Sequence, residues 1–243
     1  MATVHVSRRT ITLFLTLLTA IVLLPGLAID LLPHALEITS PQNALTLMSL
    51  DREFNIPTSL SAGLLFAASF LLVLISRAEH SRGAQDTWRW SLLSAGLALM
   101  AMDEIVSLHE RLVRPVRAFL DMDTMGLFYF AWVVPGIVLV VAAAIIYARF
   151  LLRQDPIVRN RVILAALVYL GGALGMEMVG GRYAELHGLN NLPYWIIVSL
   201  EEVLEFAGAI LLIDALLRYL ERMHPRLELV LSGVRDRAGR ASL

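Results

Sequence analysis

Read as apolar and polar positions, the chain is a series of long apolar runs separated by short polar stretches rich in arginine. Six runs fall at about 10–32, 57–76, 90–112, 126–147, 162–179 and 194–217. A spanning helix needs about 20 mainly apolar residues. The pattern therefore predicts an all-α bundle of six transmembrane helices over residues 1–224, followed by an Arg-rich tail at 225–243. Pro57 opens the second run, and Pro115 stops the helix that begins as the third. Phe128, Tyr129, Phe130 and Trp132 open the fourth as an interfacial aromatic group. Gly171, Gly172, Gly175, Gly180 and Gly181 give the fifth a surface that neighbouring helices can approach closely.

The ends and the first connection carry further local signals. Arg8-Arg9 before an apolar run, with Gly26-Leu27-Ala28 after it, has the layout of a signal peptide. It is read here as an uncleaved first span. Within the polar stretch 33–56, Ser40 and Pro41 predict a short surface helix over Pro41–Phe54.

Composition agrees with this picture and narrows the chemistry. The 243 residues are 58% hydrophobic, and the mean hydropathy is +0.70. There is no cysteine, which excludes disulfides, thiolate metal sites and cysteine nucleophiles. There is also no lysine, which excludes Schiff-base chemistry. With the N-terminus inside, 15 of the 20 arginines fall on the cytoplasmic side and 5 on the outer side. The positive-inside rule then places both termini in the cytoplasm.

Acids interrupt this pattern where they are most costly. A charged side chain at mid-membrane depth costs about 2.5–3.5 kcal/mol on insertion scales. The sixth run carries Glu201, Glu202 and Glu205, the third Asp103 and Glu104, and the fifth Glu177. At 1.5 Å per residue, Asp103, Glu177, Glu201 and Glu205 lie roughly 10, 8, 9 and 15 Å below the outer face. Three helices thus deliver acids to one layer. On a straight helix Asp103, Glu104, Ser107, Glu110 and Arg111 share a stripe, and His109 joins them only if the helix bends.

Six carboxylates with Arg111, Arg182 and His109 nearby must hold protons or a metal. Hard oxygen ligands with one imidazole suit Fe, Mn, Zn, Mg or Ca. The expected ligands are Asp103, Glu104, His109, Glu177, Glu201 and Glu205, with Glu104 and Glu202 as catalytic acid–base groups. Arg182, Tyr183, Glu53 and Asn55 are expected at the mouth of the site, in contact with substrate or an anion. Thr58 is expected to cap the second helix.

Three motifs appear in order: Glu53-x-Asn55-x-Pro57-Thr58, Asp103-Glu104-x4-His109-Glu110 and Glu201-Glu202-x2-Glu205-x2-Gly208. Together they resemble an uncharacterised bacterial family of multi-pass membrane proteins, a likeness spanning about residues 50–217. It implies that the motifs form one site and implies no reaction.

The sixth-run motif is also similar to that of membrane glutamic-type proteases, but the expected arginine is absent and no later span carries histidines. Seven-span ceramidase-like hydrolases need three histidines and a serine within their spans. Di-iron carboxylate bundles use Glu-x-x-His, whereas Glu104 and His109 stand five apart. Nucleic-acid binding has no basic surface to support it.

The expectation is metal-assisted hydrolysis or transfer on a lipid-linked substrate, with membrane lipid as the main partner. Proton- or ion-coupled transport is the alternative, as is a non-catalytic subunit of a membrane complex or homo-oligomer.

Overall fold

The computed structural model describes residues 7–36, 45–52, 54–121 and 126–223. Among them there is helix and no strand. The helices are α1 (Arg8–Ala35), α2 (Ile56–Ser81), α3 (Thr87–Val106), α4 (Leu108–Leu120), α5 (Val133–Leu152), α6 (Pro156–Leu170), α7 (Glu177–His187) and α8 (Leu192–Met223), with short 3₁₀ turns at Leu45–Met48 and Gly126–Phe128. A π-helical stretch, Gly171–Met176, joins α6 to α7, so that Pro156–His187 forms one helical length. The tail at 225–243, Glu53 and residues 41–44 of the expected surface helix lie outside the described residues.

Four helical lengths are long and apolar enough to cross a membrane: α1, α2, α5 and Pro156–His187. The bent pair α3–α4 makes a fifth. Much of this apolar surface faces outward, as at Phe14, Ile21, Leu139 and Ile145. A water-soluble monomer rarely exposes so much contiguous apolar surface. This is a membrane protein. α8 has 32 residues but is interrupted by Glu201, Glu202, Glu205, Asp214 and Arg218.

The core gathers on α8. Phe206, Ile213 and Leu216 pack with Leu65, Leu72 and Ile75 of α2, Trp90 and Leu97 of α3, and Phe150 of α5. α2 and α3 are locked by reciprocal bonds: Ser69 Oγ donates to Ser94 O at 2.8 Å, and Ser94 Oγ to Ser69 O at 2.9 Å. Small residues make this approach possible, and Ala68 and Ala101 are completely buried.

Successive long helices run in alternating directions, so the bundle has two distinct ends. At one, Asp214 of α8 accepts from Arg8 of α1, from Thr12 Oγ1 at 3.0 Å and from Arg161 of α6 at 2.7 Å. Tyr219 donates to Glu79 at 2.8 Å, and Arg222 pairs with Asp155 at 2.9 Å. At the other end, Asp30 of α1 accepts from the Leu50 N–H at 2.7 Å. One turn earlier, Gly26 has no Cβ to collide with Met48 O, which would stand at 2.7 Å. Gly26 and Asp30 together dock the segment 45–50. His34, which showed no partner in sequence, bonds Asn190 at 3.1 Å and stacks on Trp195.

Three expected boundaries change. The third span ends at Val106, not Leu112, where the chain turns by 87° into α4. The fifth span, expected to end at 179, continues as α7 to His187 and takes in Glu185. The fourth begins at Val133, after the 3₁₀ turn at Gly126–Phe128.

Candidate functional site: a carboxylate–histidine cluster

The turn between α3 and α4 makes the first half of the site. Ser107 adopts a left-handed conformation, φ 51° and ψ 49°, and is at once the end of α3 and the start of α4. That single residue breaks the predicted stripe. Glu110 and Arg111 swing away on α4 and are exposed. His109 swings inward: its backbone N–H donates to Asp103 Oδ1 at 2.9 Å and its Nδ1 meets Asp103 Oδ2 at 2.8 Å. The condition for His109 to join Asp103, a bend, is met at Ser107. With Nδ1–H on the carboxylate, a neutral imidazole carries its lone pair on Nε2. Asp103 and His109 keep 32% and 27% of their side-chain surface, so the pair lines a crevice that reaches the surface.

The π segment makes the second half. A π turn adds a residue to the helical phase and rotates everything after it. Gly171, Gly172 and Gly175 leave the backbone bare there. A Cβ on Gly172 would lie 2.7 Å from Glu201 O and 2.9 Å from Glu205 Cγ. The helix therefore touches α8 backbone to backbone, and Glu177 emerges opposite Glu201. Glu177 and Glu201 lie within electrostatic range of each other. Trp132 Nε1 donates to Glu177 at 2.8 Å, and its ring lies tilted against His109, centroids 5.0 Å apart. Tyr169 lies within reach of Glu205.

The six expected acids do converge. Glu201 lies within electrostatic range of Glu177, Glu205 and Glu202. Glu205 feels Glu202, Glu104 and Glu177, and Tyr169 feels Glu205, Glu104, Glu202 and Asp103. All six retain partial exposure. Yet among the described residues no three His, Asp or Glu side chains are arranged to hold a metal ion. As placed, the expected ligand set does not form a coordination site.

Arg182, Tyr183 and Asn55, expected at the mouth, engage other groups. Arg182 is exposed and pairs with Glu185 at 2.8 Å, and Glu185 also accepts from the Gly126 N–H at 3.1 Å. Tyr183 stacks on His187. The α2 cap is Asn55 rather than Thr58. Its Oδ1 accepts from Thr58 N at 3.0 Å and from Thr58 Oγ1 at 2.9 Å, and its Nδ2 donates to Ser49 O. Asn55 is thus a buried structural residue.

Sequence reading missed Tyr169, Trp132 and Asp51. Tyr169 and Trp132 look like ordinary apolar-run and interfacial aromatics, and nothing local marks them as donors to acids. Asp51, in the connection before α2, keeps accessible surface yet is crowded by protein atoms. Desolvation, and then the charges of Asp30, Glu177 and Glu110, push its carboxyl up to about 7 against the pull of Arg52. The charges of Asp51, Glu177 and Glu201 all reach Tyr194, which links this connection to the site.

Residues 8–220 match the family model described as "Domain of unknown function (DUF8692)". The chain belongs to this family. The match takes in all three motifs and every helix that frames the cluster, so the site lies wholly within the family's domain. No curated protein and no solved structure matches the chain.

Proposed function

We propose that this is a six-span protein of the bacterial inner membrane, with both termini in the cytoplasm and an acid–base centre near the outer face. Its chemistry is hydrolysis or group transfer on a lipid-linked substrate. The observation that carries this reading is the Asp103–His109 pair. A carboxylate that fixes an imidazole through Nδ1–H sets the tautomer and raises the basicity of Nε2. His109 then serves as general base. Glu201, set beside Glu177, supplies the proton for the leaving group, with Glu104 and Glu202 setting the local field. Six spans follow from counting α8, whose acids and arginine are what keep it from resembling a simple lipid-facing helix.

A one-sided site fits chemistry better than transport. Between Glu205 and Asp214, α8 buries Phe206, Ala209, Ile210 and Ile213, an apolar layer that closes off the other half of the bundle.

The test uses native lipid extract incubated with purified protein in nanodiscs, followed by mass spectrometry of lipids and released headgroups. Wild type should consume a lipid species that Asp103→Asn, His109→Gln and Glu201→Gln leave intact. Identical lipid profiles for wild type and all three variants would sink the enzymatic reading.

A second reading is a divalent cation, Fe, Mn, Zn, Mg or Ca, drawn in by six carboxylates in mutual electrostatic range. It would require Asp103, Glu104, His109, Glu177, Glu201 and Glu205 to regroup around the ion in their deprotonated forms. Stoichiometric metal in elemental analysis, lost in Glu201→Gln, supports it; sub-stoichiometric metal in wild type removes it.

A further inference from the structure

α4 leaves α3 at nearly a right angle, 87°. α3 is itself 20 residues long, about 30 Å, the thickness of the hydrocarbon layer. With α3 upright in the bilayer, α4 would run along its surface at the acid end of the bundle. Its sequence suits that place. At 100° per residue its circumference divides into three sectors. Val113, Val116, Arg117 and Leu120, with His109, form the half-buried sector against the protein. Arg117 there holds Tyr129 O and covers the Tyr129 ring. Leu108, Leu112 and Phe119 form an exposed apolar flank, with Phe119 87% accessible. Glu110, Arg111 and Arg114 form an exposed charged flank.

We infer that α4 is an in-plane anchor whose Leu108–Leu112–Phe119 flank sits in the acyl boundary of the bilayer while Arg111 and Arg114 contact the phosphates of anionic phospholipids. Two observations commit the flank to lipid rather than to a protein partner. The apolar flank lies on a helix that the 87° turn carries out of line with α3, and its Leu108, Leu112 and Phe119 are exposed. The arginines beside it stand at headgroup level, where basic side chains gain from anionic lipid. A helix carrying Glu110, Arg111, Arg114 and Arg117 is too costly to enter the hydrocarbon core.

The consequence reaches the site. His109 is on the first turn of α4, so the depth at which lipid holds α4 also holds the imidazole on Asp103. This second step rests on the acid–base reading above. The placement of α4 does not, and its test is independent of activity.

The chain contains no cysteine, so single labelling cysteines can be introduced without first removing native ones. Leu112→Cys, Phe119→Cys, Arg111→Cys and Arg114→Cys are labelled in the full-length protein, reconstituted in phosphatidylcholine vesicles with or without phosphatidylglycerol. Labels at 112 and 119 should collide with oxygen several-fold more than with a water-soluble nickel chelate, and labels at 111 and 114 should show the reverse. The label at 119 should move deeper when phosphatidylglycerol is present. Equal chelate access at all four positions would overturn the anchor, since α4 would then stand in water. Shielding of 112 and 119 from both reagents would overturn it in favour of a protein partner. Depth indifferent to phosphatidylglycerol would overturn the anionic-lipid contact.

Discussion

Gly208 and Tyr169 meet backbone to backbone: a Cβ built on Gly208 would stand 2.5 Å from the Tyr169 nitrogen. That contact brings α6 close enough to α8 to set Tyr169 beside Glu205. The glycine of the third motif is thus part of how its last glutamate is held. Gly208→Ala should push the helices apart and lower stability by about 1–3 kcal/mol, the usual cost of overpacking. Gly96→Ala, where a Cβ meets nothing within 4 Å, is the control and should leave the thermal midpoint in detergent unchanged.

Asp214 ties three helices together at the opposite end, and its side chain is only 8% exposed. Asp214→Ala leaves Arg8 and Arg161 without their shared acceptor and should cost about 3 kcal/mol. Glu221, whose side chain is 52% exposed, also pairs with Arg8. Glu221→Ala should cost less than about 1 kcal/mol, as exposed ion pairs do. Thermal unfolding of both variants in the same detergent measures the contrast, and equal losses would refute it.

Ser107 holds a conformation that costs an L-residue about 1–2 kcal/mol and glycine almost nothing. Ser107→Gly should match or slightly exceed wild-type stability. Its ¹⁵N spectrum should still show Nδ1 of His109 protonated and bonded to Asp103. Ser107→Val should be destabilised by about 1–2 kcal/mol and lose that signature, because a β-branched residue resists the left-handed region. Retention of the signature in Ser107→Val would show that the turn does not set the His109 position.

Asp51 gives a pH dependence of defined sign. Its folded carboxyl is raised from the ordinary 3.8 to about 7, first by desolvation and then by Asp30, Glu177 and Glu110. Between those values the folded state binds the extra proton, so the contribution of Asp51 is fully present below the unfolded value. It is lost as pH rises through about 7. Asp51→Asn should flatten this part of the melting-temperature profile and raise the midpoint relative to wild type above pH 7. Parallel profiles for the two proteins would contradict it.

Much of this molecule is decided within single segments. Apolar run length and arginine distribution specify the helices and their alternation, since insertion in lipid depends on local transfer energy. The depth of Asp103, Glu177, Glu201 and Glu205 follows from a fixed rise per residue, and the structure does bring these acids together. What sequence could not yield are features made by residues far apart. Ser107 carries no glycine or proline to announce a break; the bend becomes visible only with His109 held by Asp103. The π stretch exists where Gly172 meets Glu201, 29 positions away. Asp214 binds Arg8 and Arg161, which reach it from other helices. The carboxylates were legible by depth, a one-dimensional property. Their orientation, and the turn of Arg182 toward Glu185, depend on helix rotation and close approach, which only tertiary packing fixes.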